Sequence, residues 1–221
     1  MHQDYRYLIV PPTPQPELPH IAGLRARLAP ERFDKYIVTA AGDRAAALRL
    51  YEWNIDASAA MHSTIGQLEI LLRNALDVQL TRFHALTIGG TLAWWNDPQM
   101  PLRPQLFDQL RTARQRARRG GVPETQGKVI AELTFAFWRF LLDASHSATL
   151  WAPALRHAFP HLRPRVRTEV YGRLERLNGL RNRTAHHEPI HHLPLEERWH
   201  DILAVAGWIP SLPRSGETVL G

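Results

Sequence analysis

Apolar residues return every three or four positions along most of this chain, the interval that lines one face of an α-helix. The clearest run is Met61, Ile65, Leu68, Leu72, Leu76, Leu80 and Phe83. No proline falls between Arg44 and Leu86, so the pattern predicts one long helix over 44–86, capped by Asp43 and kinked near Gly66. Gly89-Gly90 closes it, and Trp94-Trp95-Asn96-Asp97-Pro98 reads as a loop with aromatic anchors. Shorter helices are predicted over 19–28 and 31–40, with Pro19 at a tolerated first-turn position. Another is predicted over 104–118, ending at Gly120-Gly121. The run 128–142 is apolar on nearly every side and predicts the most buried helix. Leu150-Trp151-Ala152-Pro153 and Phe159-Pro160 punctuate a connecting region. Val166, Val170, Leu174 and Leu177 share a face of a helix over 165–180, and a last helix over 194–208 starts with Pro194 in its first turn. No segment reads as a sheet strand and no repeat is visible, so the expected class is an all-α bundle.

Composition narrows the classes. Hydrophobic residues make up 44% of 221 residues, enough for a packed core in one domain. Prolines in 1–16 forbid a helix interior, so that stretch reads as an extended arm; 17–212 reads as the helical domain and 213–221 as a tail. The absence of cysteine removes disulfides, thiolate zinc sites and cysteine nucleophiles. With no signal-peptide core and no apolar run of membrane-spanning length, the expectation is a cytoplasmic protein that does not engage a membrane. The net charge of +6 and pI near 10.3 favour a polyanionic partner, RNA in particular. Nearly all of that charge is arginine, Lys35 and Lys128 being the lysines, and such a bias also follows from genome base composition. The densest basic run, Arg111, Arg114, Arg116, Arg118 and Arg119, reads either as a solvated face suiting the dipole at a helix end or as a grip on an RNA backbone.

Candidate chemistry concentrates in Arg181-Asn182-Arg183-Thr184-Ala185-His186-His187-Glu188-Pro189-Ile190. Arginine grips phosphate through a planar fork of donors, and histidine moves protons near neutral pH. Arg181 and His186 fall where one core helix ends, a place where side chains project past the bundle. The bland alternative is that cations near a helix C-terminus complement its dipole while Asn182 favours a turn. The overlapping His187-Glu188-Pro189-Ile190-His191 reads as H-E-x-x-H, a zinc-protease signature. That signature needs both histidines on one continuous helix, which Pro189 opposes, and a third ligand, for which His200 is the candidate. Adventitious metal binding by His186, His187, His191 and His192 is the milder reading.

The segment from Leu180 to Ile190 resembles the signature of the Abi-like (abortive infection) family, a branch of the HEPN superfamily. Further stretches resemble it in order: Tyr51-Glu52-Trp53-Asn54, the run from Leu68 through Glu69, Arg73 and Asn74 to Leu76, Trp94-Trp95, the run from Gly127 to Trp138, Leu150-Trp151 and Phe159-Pro160. Ala136 stands where the family pattern has glycine. The resemblance covers roughly residues 30–210. It implies a HEPN-type helical bundle with extra N-terminal helices, a homodimer, and a metal-independent endoribonuclease needing no cofactor. By the same resemblance Arg181, Asn182 and His186 are catalytic, in a cleft composed from two copies. Glu69, Arg73, Asn74, His187 and Glu188 are supporting residues, and Arg111, Arg114, Arg118, Arg119 and Arg183 are candidates for RNA binding. Glu69 and Arg73 read either as an ordinary i,i+4 helix pair or, because Glu69 sits beside Leu68 on an apolar helix, as a carboxylate that pairs with Arg181 or Arg73 and holds the motif rigid. The implied biology is phage defence, or a toxin restrained by a protein or RNA antitoxin. A non-catalytic module binding RNA, nucleotide or protein is the alternative within the same resemblance.

Overall fold

The computed structural model describes residues 30–210, and among these there is no strand. The helices are α1 (Pro30–Thr39), α2 (Arg44–Phe83), α3 (Pro104–Ala117), α4 (Gln126–Ala131), α5 (Phe135–Phe140), α6 (Arg167–Ala185) and α7 (Leu195–Trp208). The expected arm over 1–16, helix over 19–28 and tail over 213–221 lie outside the described residues. No helix among the described residues is long and apolar enough to cross a membrane.

Asp43 starts α2 by accepting the backbone N–H groups of Ala45 and Ala46 through Oδ1 at 2.9 and 3.0 Å. These bonds hold its carboxyl below the usual carboxylate range, the Ala46 bond contributing most. At 40 residues α2 is about 60 Å long and runs through Gly66 without a break. Ile65, Leu68, Leu72, Leu76 and Leu80 are all buried along one stripe, as their spacing predicts. Met61 and Phe83, at the ends of that stripe, are only half-buried. The helix loosens into a wider π-type turn over His84–Ile88 and stops at Gly89, whose φ of 74° suits glycine.

Three sequence expectations are corrected. The apolar run 128–142 is two short helices, not one. Thr134 lies between them, and its hydroxyl accepts the N–H of Phe137 at 3.4 Å as the cap of α5. The helix expected over 165–180 starts at Arg167 and continues to Ala185, so Val166 falls outside it and is exposed. At the last helix, Pro194 occupies the N-cap position of α7, one residue before the first turn.

Two compact units divide the described chain, residues 30–62 with 183–193 and residues 63–182 with 194–210. In the first unit Tyr36 is buried against Phe33, Tyr51 and His191, with ring centroids 6.4, 6.1 and 5.2 Å apart among the three phenyl and phenol rings and 5.3 Å from Tyr36 to His191. Burial pushes the Tyr36 phenol up to about 12. In the second unit the core joins the α2 stripe to Trp94, Phe135, Phe137, Trp138, Phe159, Val170, Leu174 and Leu177. Two polar ties cross that core. Asp77 accepts Trp94 Nε1 at 2.8 Å and Gln126 Nε2 at 2.9 and 2.7 Å, and His84 Nε2 meets Asp97 Oδ2 at 2.8 Å.

Candidate functional site at the end of α6

Helix α6 ends in a hydrogen-bond pattern that fixes where each motif residue stands. The N–H of Glu188 donates to Arg183 O at 2.8 Å, and that of His187 donates to Thr184 O at 3.2 Å. This is a Schellman termination, which needs a left-handed residue just past the cap. His187 fills that place with φ 54°, where glycine is usual. His186 is therefore the C-cap itself, exposed, and Pro189 follows the termination directly. The run His187–His191 lies in this turn, not on a continuous helix, so the geometry that H-E-x-x-H requires is not formed. Among the described residues no cluster of three or more histidine or acidic side chains is arranged to hold a metal.

The segment past the helix is strapped down within the first unit. Asn54, 3% exposed, accepts the buried N–H of Ile190 through Oδ1 at 2.7 Å. His191 Nε2 lies 3.3 Å from Thr39 Oγ1, and Arg183 reaches Pro189 O at 3.3 Å and Glu188 at 3.4 Å. Arg183 and Glu188 thus brace the turn around His187. His62 contributes as well: its Nδ1 sits 2.9 Å from the hydroxyl of Thr184, which is buried two residues before His186. Asn54, His62 and Thr184 had no assigned role in the sequence reading. Thr184, a small polar residue one turn after Arg181, was the available signal.

In the second unit Arg181 is half-buried on α6 and Asn182 is exposed beside it. Glu69, half-buried on α2, is brought into the field of Arg181. Burial pushes the Glu69 carboxyl up, while Arg181, then Arg73, and a hydrogen bond from the Phe135 N–H act against that rise. Asn74 is exposed on the same helix.

The basic run over 111–119 is partly compensated. Arg111 pairs with Asp108, and Arg118 pairs with Glu124. Arg114 donates to Glu124 at 2.6 Å and to Asn96, and lies over the Trp95 ring at 5.4 Å. Arg116 and Arg119 are exposed. Glu124 lies beyond Gly120-Gly121 and folds back onto the helix, which the arginine spacing alone does not reveal.

Comparison with known proteins adds no family: no family model matches the chain, and neither a curated protein nor a solved structure matches it.

Proposed function

We propose that this chain is a metal-independent endoribonuclease of the HEPN type, with Arg181, Asn182 and His186 as its reacting set. One observation carries the reading: His186 caps the end of α6 in the open, on a helix whose last turns also hold Arg181 next to a half-buried carboxylate. Arg181 binds the scissile phosphate and stabilises the charge that gathers on its oxygens. His186 takes the proton of the attacking 2′-hydroxyl. Asn182 orients His186 or a phosphate oxygen, and Glu69 keeps Arg181 in one pose. The products are a 2′,3′-cyclic phosphate and a 5′-hydroxyl. The composite two-copy cleft, and a role in phage defence or as an antitoxin-restrained toxin, belong to the same proposal. The test is cleavage of mixed RNAs by purified protein in EDTA. Activity in the wild type that falls about 10²- to 10⁴-fold in His186→Ala supports the reading. RNA retained without product favours a binding module, and cleavage that survives His186→Ala removes the assignment.

A further inference from the structure

The stretch from Ala144 to Thr168 contains no acidic residue, while Arg156, Arg163, Arg165 and Arg167 fall within it. The fold turns that one-sided sequence into a surface of the second unit. A 3₁₀ turn over Leu155–Ala158 sends Leu155 and Ala158 into the core, followed by Phe159 and Leu162. Arg156, His157 and Arg163 are left exposed, and Arg165 is half-buried. Arg82, exposed in the last turn of α2, adds a cation from a distant part of the sequence. Its approach shows at His157. Partial burial lowers the pKa of that imidazole, and the charges of Arg156, Arg165 and then Arg82 lower it further. No ion pair among the described residues includes Arg82, Arg156, Arg163 or Arg165. The 111–119 run differs, since Asp108 and Glu124 fold against it.

We infer that Arg82, Arg156 and Arg165 form a surface that binds the phosphate backbone of an RNA strand. Like charges gathered without counter-charge repel one another, and a polyanion relieves that repulsion while releasing its own counterions. A guanidinium fork meets two phosphate oxygens at once, and every cation of this surface apart from His157 is an arginine. The exposed aliphatics nearest in sequence, Leu86 and Val166, are single side chains and do not make the apolar face that seats in a bilayer. The surface shares a partner with the ribonuclease reading but none of its residues, and it stands even if the chain cuts nothing.

The experiment titrates the full chain against a labelled 2′-O-methyl RNA oligonucleotide, which has no free 2′-hydroxyl to attack its own backbone, over a range of salt. The double variant Arg82→Gln/Arg156→Gln changes two exposed side chains, so its fold, checked by circular dichroism, is expected to persist. It is expected to bind about tenfold more weakly at about 0.1 M salt, with a slope of log affinity against log salt shallower by about 1 to 1.5. The loss should be alike for strands of different sequence, because backbone contacts do not read bases. Arg116→Gln/Arg119→Gln removes the same charge from exposed positions of the 111–119 run and is expected to weaken binding less than about threefold. In wild-type protein, bound oligonucleotide should raise the His157 pKa, followed by NMR. Equal losses in the two double variants, no loss at Arg82 and Arg156, or an unmoved His157 overturns the inference. So does poly-glutamate that competes as well as unlabelled strand at equal charge, or binding to phosphatidylcholine–phosphatidylserine vesicles without binding to RNA. Each of those results leaves the ribonuclease reading to its own test in EDTA, and a wild type that binds as expected without cutting removes that reading alone.

Discussion

Arg173 and Arg176, in the first half of α6, close on Asp201 of α7, whereas Arg181 in the same helix stands against Glu69. Asp201 is 2% exposed and accepts Arg173 at 2.8 Å, Arg176 at 2.8 and 2.7 Å, and Arg198 at 3.1 Å. Burial pushes that carboxyl up, but the three arginines overcome the rise and hold it below the usual range. At Glu69 burial prevails over Arg181 and Arg73, and the carboxyl stays raised. The first arrangement is saturated: three guanidinium groups converge on one fully ionised acceptor. At Glu69 two arginines act on the carboxyl, and burial outweighs both. Arginines on one helix therefore meet acids in two settings, one carboxyl held ionised by three partners and the other raised by burial.

Mutations at the two ends should separate stability from activity. The largest stability effect is expected for Asp201→Ala, which strands three arginines beside a buried site. A loss of about 2–4 kcal/mol is expected in urea unfolding, less than for a fully buried pair because the Arg176 side chain is 44% exposed. The RNA-cleavage rate of the remaining folded protein should change little. A change within about 0.5 kcal/mol would mean that the cluster is only surface charge. Next in size is Asn54→Ala, which orphans the buried Ile190 N–H and should cost about 1–3 kcal/mol. Its local signature is faster amide hydrogen exchange at Ile190, and unchanged protection there would show that Asn54 does not hold the strap.

The pH dependence should distinguish the two regions without mutation. Asp201 has a folded pKa below its unfolded value, so its stabilisation is complete above the ordinary carboxylate range, near 3.9, and is lost as pH falls through the folded value. Asp97 behaves alike, chiefly through its bond from His84. Tyr36 has the opposite sign. Its phenol is raised to about 12, so its stabilisation is complete below the unfolded value near 10 and is lost as pH rises toward 12. Thermal unfolding should weaken below about pH 4 and again above about pH 10. Asp201→Asn should flatten only the acid limb and Tyr36→Phe only the alkaline one. The smallest effect is expected for His187→Gly, which relieves a left-handed side chain and should raise stability by less than about 1 kcal/mol with cleavage retained. A loss of cleavage there would give His187 a part in the chemistry.

What was legible from the sequence follows from how local each determinant is. The α2 stripe and the Asp43 cap depend on residues a few positions apart, and both formed where the spacing places them. The uniform apolarity of 128–142 concealed the Thr134 cap, because periodicity carries no signal where every face is apolar. The five residues by which α6 outruns Leu180 are polar on most sides and are held by its termination at His187 and Glu188. Arg181 and His186 could be placed near a helix end by Pro189 alone. The contacts that fix their surroundings could not: Asn54 and Ile190 are 136 positions apart, and His62 and Thr184 are 122. For a similar reason Asn96 and Glu124 become partners of Arg114 only in the fold, whereas Asp108 lies one turn before Arg111 on the same helix.

The chemistry assigned to the end of α6 is tested most directly by the ends it leaves on RNA. A labelled oligonucleotide is digested with wild-type protein in chelator, and the new termini are resolved. The account predicts a 2′,3′-cyclic phosphate upstream and a 5′-hydroxyl downstream, both missing from the His186→Ala digest. A 3′-hydroxyl with a 5′-phosphate, or identical ends from His186→Ala, would contradict it.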